Sequence, residues 1–194
     1  MSLTLQASEI LADLLEGNRR FRSGCSVHHC YEEPGLRELA LGQAPVAAVI
    51  ACSDSRVVPE VIFDQPLGSL FVSRVPGNVA SDGTKWMIEI AMSAYKIPLV
   101  IVLGHTGCLA VSSVLGTFPG TEGGLLRFKV MAAVDRAKGI SGGDRLRVAV
   151  EENARESLRE LSTESYLLRN ALADGATSGI SMVYDMETGQ VIQL

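Results

Sequence analysis

Apolar residues follow two rhythms along this chain. From Ser8 to Gly24 they recur at Ile10, Leu11, Leu14, Leu15 and Phe21, the spacing of one helical face. Ser8 is placed to cap that helix and Gly24 to stop it. The stretch from Gly24 to Gly42 is polar and mixed, and predicts a loop with a short helix near Leu36 to Leu41. The rhythm then changes. Val46 to Cys52 is continuously apolar with β-branched residues, the look of a strand covered on both faces of a parallel sheet. A second strand is predicted over Ser69 to Val75 and a third over Pro98 to His105, with a helix at Gly83 to Tyr95 between them. Strand, helix, strand at that spacing implies a right-handed crossover between parallel strands.

Beyond His105 a helix is expected to about Leu115, then a Gly- and Pro-rich loop from Gly116 to Gly124. Further helix covers Leu125 to Ala137 and Asp144 to Leu172, with breaks near Gly139–Gly143 and Ser162–Ser165. The tail GISMVYDMETGQVIQL reads as a hairpin that turns at Glu187–Gly189. No repeat or low-complexity segment interrupts this order. The prediction is one α/β domain, a mainly parallel central β-sheet flanked by helices. Residues 1–42 form a helical arm, and residues 43–194 form the core and closing hairpin.

Composition agrees: 47% of the 194 residues are hydrophobic and 20% charged, as in globular proteins. The net charge of −5 and the scattered Lys and Arg exclude the basic face that a nucleic-acid partner requires. The densest group, Arg19, Arg20 and Arg22, reads as a solvated helix face. The N-terminus lacks a basic start followed by a long apolar stretch, and the apolar runs fall short of the roughly 18 residues of a membrane span. A soluble, cytoplasmic protein without a membrane partner is expected. In such a chain the four cysteines read as metal ligands or free thiols before disulfides.

Ligands of open α/β sheets bind beyond the C-terminal ends of the parallel strands. The first predicted strand ends in Cys52-Ser53-Asp54-Ser55-Arg56, and the third in His105-Thr106-Gly107-Cys108. If those strands are neighbours, Cys52, His105 and Cys108 converge. Two thiolates and one imidazole suit Zn²⁺, and three protein ligands leave a fourth position open, the mark of a catalytic site. Singly, each residue reads as an ordinary buried cysteine or histidine; the combination beside Asp54 and Arg56 does not. Cys25, His28, His29 and Cys30 crowd into six residues, whereas a tetrahedral site usually draws on separated segments. They read as a solvated, redox-sensitive loop.

CSDSR followed about fifty residues later by GHTGC resembles the β-class carbonic anhydrases. EILADLLEGNRRFRSG is similar to that family's N-terminal helix, RVPGNVAS to its segment after the second strand, and VYDMETGQVIQL to its closing strands. The resemblance implies reversible hydration of CO₂ to bicarbonate and a proton, by hydroxide carried on a zinc ion held by Cys52, His105 and Cys108. It implies that Asp54 accepts a hydrogen bond from the zinc-bound water and that Arg56 keeps Asp54 ionised and turned off the metal. Gln43 aligns with a glutamine that donates near the substrate, and Phe71 with an apolar residue lining the CO₂ pocket. The implied assembly is a homodimer or a dimer-based higher oligomer with the site at the interface, so that Gln43 serves the partner's zinc. Val49 stands where members closed by a non-catalytic bicarbonate site carry Trp. The chain departs at Ile90, where the family often has Tyr, and at Leu109, where it usually has Gly. Ile90 makes the pocket more apolar. Two alternatives follow: hydrolysis of carbonyl sulfide or carbon disulfide on the same site, and a weakly catalytic zinc-bearing scaffold.

Overall fold

The computed structural model describes residues 3–27, 29, 32–116, 122–138 and 144–194. Its centre is one five-stranded sheet: β1 (Ala47–Ala51), β2 (Leu70–Arg74), β3 (Leu99–His105), β4 (Ser178–Tyr184) and β5 (Val191–Gln193), in the order β2-β1-β3-β4-β5. The first four are parallel, and β5 closes antiparallel on β4. Every residue of β1 and β3 is buried, because helices cover both faces. Alternate residues serve opposite layers. Ala47, Val49 and Ala51 pack with Leu99, Ile101 and Leu103 against α1 (Leu5–Arg22) and α3 (Pro59–Ile62). Ala48 and Ile50 pack with Val100 and Val102 against α4 (Asp82–Tyr95), α7 (Arg145–Glu164) and α8 (Tyr166–Ala173). The helices α5 (Leu109–Leu115) and α6 (Gly124–Lys138) stack outside α7 around a third apolar cluster. The remaining helix, α2 (Glu33–Leu41), precedes β1.

The chain leaves β1 through α3 on one face to reach β2, then returns through α4 on the other face to β3. β1 and β3 therefore flank the point where the winding reverses, and a crevice opens outside their C-terminal ends. Two details differ from the sequence reading. The first helix starts at Leu5, capped by Thr4, whose side chain accepts from the Ala7 amide at 3.2 Å; Ser8 instead donates its hydroxyl to the Thr4 carbonyl. The cause is Ala7, a small residue that extends the buried stripe of Leu11 and Leu14 by one turn. The short α3 was not anticipated. The expected break between α7 and α8 falls at Ser165, which caps α8 by accepting from the Leu168 amide. The expected breaks at 139–143 and most of the loop 116–124 lie outside the described residues. No helix among the described residues is long and apolar enough to cross a membrane.

Helix α1 is seated by the absence of a side chain. A Cβ at Gly17 would lie 1.8 Å from the Phe63 carbonyl oxygen, a backbone atom that cannot swing away. Gly17→Ala is expected to destabilise the protein by at least about 1–3 kcal/mol in denaturant unfolding. Gly35→Ala, where an added Cβ meets nothing within 4 Å, should be neutral or stabilising by up to about 1 kcal/mol. Equal stability of the two variants would contradict the close crossing.

Candidate metal centre

Cys52 follows the last residue of β1, and the segment after it is held to the end of β2. The Val75 amide donates to the Ala51 carbonyl at 3.0 Å and the Ser53 amide to the Val75 carbonyl at 3.2 Å, extending the ladder past the strands. Arg74 donates from Nε to the Cys52 carbonyl at 3.1 Å and from Nη2 to the Asp54 carbonyl. The Gly77 amide donates to the Cys52 sulfur at 3.4 Å, and the Gly77 carbonyl accepts from Asn153 Nδ2 at 2.6 Å. On the neighbouring strand, His105 ends β3, and the Thr106 amide donates to the Tyr184 carbonyl at 3.0 Å. Gly107, at φ +69°, turns the chain sharply from strand to helix. Cys108 is the residue that precedes α5, and its carbonyl accepts the first helical bond from Ser112 at 2.9 Å.

The result is a buried triangle. The Cys52 and Cys108 sulfurs are 3.9 Å apart, and one ligand atom from each of Cys52, His105 and Cys108 lies within 4.8 Å of the others. Nδ1 of His105 is 3.0 Å from the Thr106 carbonyl oxygen. A carbonyl only accepts, so the hydrogen sits on Nδ1 and Nε2 presents its lone pair. That Nε2 is buried and has no hydrogen-bond partner among the described residues. A buried acceptor left bare costs about 1–3 kcal/mol. A divalent transition-metal ion at the triangle would satisfy it. The sulfurs share the same need. The Cys52 thiol is pulled well down, first by the hydrogen bond from Cys108, with the backbone amides of Asp54 and Gly77 adding to it. The Cys108 thiol is pushed up, because its proton is held against the Cys52 sulfur and a second thiolate would be buried beside the first. The two protons belong to the pair. One leaves easily and the second stays until a cation neutralises both sulfurs. These donors fit a soft divalent ion.

Asp54 and Arg56 close the loop beyond Cys52. Arg56 grips the carboxylate as a fork, Nε to Oδ1 at 3.0 Å and Nη2 to Oδ2 at 2.8 Å, while its backbone amide donates to Oδ1 at 3.0 Å. The Asp54 side chain is 11% exposed and that of Arg56 62%. Arg56 holds the Asp54 carboxyl well below the usual range, chiefly through the side-chain hydrogen bonds. Asp54 is therefore ionised at any pH near neutrality.

The other candidates lie elsewhere. Phe71 pairs with Ala48, four residues before Cys52, which puts it about 13 Å from the metal end of the sheet at 3.3 Å per residue. Gln43 lies on the exposed loop ahead of β1 and donates from Nε2 to the Tyr95 hydroxyl at 2.9 Å; the Tyr95 ring stands 5.7 Å from that of Phe71. Gln43 and Phe71 thus meet through Tyr95, away from their own chain's triangle. Ile90, 38% exposed, opens on a different surface with Trp86, Glu89, Ser93 and Ala94. Leu109 lines a cavity of about 310 Å³ with Pro76, Ala110, Val114, Leu126 and Val130, next in sequence to Cys108 and Gly77. Of the cluster near the N-terminus, His28 and Cys30 lie outside the described residues, Cys25 is exposed, and His29 faces Asp64 at 3.7 Å. Sequence reasoning missed Arg74, Asn153 and Tyr95. Asn153 leaves a signal, a polar residue within the apolar stripe Ala149, Val150, Ala154 and Leu161. Arg74 and Tyr95 leave none.

Known proteins share this sequence pattern and fold. The sequence model of the carbonic anhydrase family matches residues 47–191. Carbonic anhydrase 2 of Mycobacterium tuberculosis is 32% identical over 186 residues, covering 92% of this chain and 88% of the relative. Among solved structures, the Coccomyxa β-carbonic anhydrase in complex with acetazolamide is similar at a TM-score of 0.71 and 29% identity, over 95% of this chain and 86% of that one. A tetrameric β-carbonic anhydrase of Sordaria macrospora shares the fold at a TM-score of 0.72 and 22% identity, over 96% and 97%.

Because the depressed Asp54 titration comes from Arg56, Arg56→Ala should raise it toward the ordinary value of about 3.9. Carboxyl-carbon NMR across an acid titration would show this. The sign is that of a lowered carboxyl: its favourable interaction is present above the ordinary value and lost as pH falls toward the lowered one. An unmoved titration in Arg56→Ala would remove Arg56 as the cause.

Proposed function

The chain belongs to the β-carbonic anhydrase family of enzymes, and from that we propose that it catalyses the reversible hydration of CO₂ at a zinc ion held by Cys52, His105 and Cys108. The observation that carries the reading is the buried, partnerless lone pair of His105 Nε2 grouped with two sulfurs 3.9 Å apart. Zinc bound there would keep one coordination position open and supply Lewis-acid activation of water for attack on CO₂. The thiolates of Cys52 and Cys108 would cancel the charge of such an ion, and the Thr106 carbonyl holds His105 in the tautomer that would ligate it.

Asp54 supplies what a charge-neutral site lacks. Its carboxylate stays ionised, and Arg56 occupies one side of it, leaving lone pairs to accept a hydrogen bond from the water and turn the reacting oxygen toward CO₂. Arg56 also restrains Asp54 from swinging onto the metal. A scaffold site has no use for this pair, because a structural zinc takes a fourth protein ligand instead.

A second copy of the chain completes the pocket. Phe71 cannot reach its own triangle across about 13 Å of strand, and Gln43 lies farther back, on the loop ahead of β1. β2 is an open sheet edge, and Val46, Leu67, Trp86 and Ile90 are exposed apolar residues that a partner would cover. The assembly is a homodimer or a multiple of one, with CO₂ and bicarbonate as its small-molecule partners. A reducing cytoplasm suits ligands that must remain thiolates. A second reading is hydrolysis of carbonyl sulfide or carbon disulfide, which would draw on the same activated water at the same centre.

Elemental analysis should find about one zinc per chain, as a three-ligand site implies. Asp54→Asn should keep the metal and lose roughly 10²-fold or more of stopped-flow CO₂ hydration, the usual scale for a positioned acid–base group. Full activity in that variant would make the pair structural. Turnover of CO₂ should exceed that of carbonyl sulfide and carbon disulfide on zinc-loaded protein. The reverse order would replace the first reading with the second.

A further inference from the structure

We propose that Tyr95 is a positioning residue that sets the orientation of the Gln43 carboxamide and fixes it to the apolar wall at Phe71. The inference rests on the reading that Gln43 and Phe71 serve the reacting site of a second copy. Gln43 is exposed on the loop ahead of β1. Left alone, a glutamine there samples several rotamers, and its carboxamide presents donor and acceptor interchangeably. Here Nε2 is 2.9 Å from the Tyr95 hydroxyl, which accepts one of its two hydrogens. The second hydrogen is left for an oxygen of CO₂ or bicarbonate.

Tyr95 is itself held firmly. It ends α4 beyond the buried residues Ile88 and Ala91, so its ring continues that helix's inward face. The ring packs on Phe71 at 5.7 Å with planes inclined by 48°. Immediately after it, Lys96 adopts φ +50° and its amide closes the helix on the Met92 carbonyl, so the chain turns away and the ring cannot slide with a fraying end. Donor and apolar wall are thereby one unit built on a rigid helix rather than two residues on loops. Tyr95 is not a displaced Ile90. Five residues along a helix separate side chains by about 140°, and Ile90 opens on another surface.

Tyr95→Phe removes the hydroxyl and keeps the ring on Phe71. On zinc-loaded, fully assembled protein, KM for CO₂ and for bicarbonate should rise on the order of three- to tenfold while kcat stays within about twofold, the signature of lost uniform binding. Gln43→Ala should raise KM by at least as much, and Tyr95→Phe in the Gln43→Ala background should add nothing. Oligomeric state by light scattering and thermal midpoint should match the parent, because the ring contact survives. Equal, additive losses in both backgrounds, or a fall in kcat alone, would overturn the positioning role. Gln43→Ala impaired with Tyr95→Phe unaffected would overturn it while leaving Gln43 at the substrate. An unchanged KM in Gln43→Ala would remove the substrate role of Gln43 and the proposal together.

Discussion

Two sulfurs 3.9 Å apart in a buried pocket set the terms for this molecule. As two thiolates they would repel by about 4 kcal/mol even at an effective dielectric of 20. Among the described residues, the buried His105 Nε2 has no hydrogen-bond partner. A divalent cation at the centre would settle both. Cys52 is favoured as a thiolate first by the Cys108 thiol and then by the backbone amides of Asp54 and Gly77, whereas the Cys108 proton is held against the Cys52 sulfur.

The sheet places the ligands, and glycine and arginine refine them. β1 and β3 are adjacent because the chain crosses to β2 on one face and returns on the other, so residues separated by fifty positions end side by side. Gly107 allows the turn that swings Cys108 back over His105. Gly77 brings a backbone amide to the Cys52 sulfur, and Asn153 on α7 holds that glycine from behind. Arg74 ties the carbonyls of Cys52 and Asp54 to the end of β2, so Asp54 is fixed relative to Cys52 two residues before it. An ionised carboxylate beside the Cys52–His105–Cys108 triangle is then a consequence of local backbone geometry and one fork-shaped cation.

Much of this was legible from the chain itself. Continuous apolar runs at Val46–Cys52 and Pro98–His105 read as doubly covered strands, and metal-ligand residue types at both ends pointed to one crevice. What escaped was short or three-dimensional. α3 spans four residues, too few to show a period. The cap at Thr4 was hidden because alanine at position 7 carries little apolar signal. Arg74 and Tyr95 act through partners distant in sequence, Asp54 and Gln43, and nothing in local composition marks such pairings. The separation of Ile90 from Gln43 and Phe71 within one chain likewise depends on which face of α4 meets the sheet.

The centre itself is open to direct inspection. X-ray absorption at the zinc edge of the metal-loaded protein should show two sulfurs at about 2.3 Å, one imidazole nitrogen at about 2.0 Å and one further light atom from solvent. A shell completed by a third sulfur or a second imidazole, or a protein that takes up no zinc, would contradict the account.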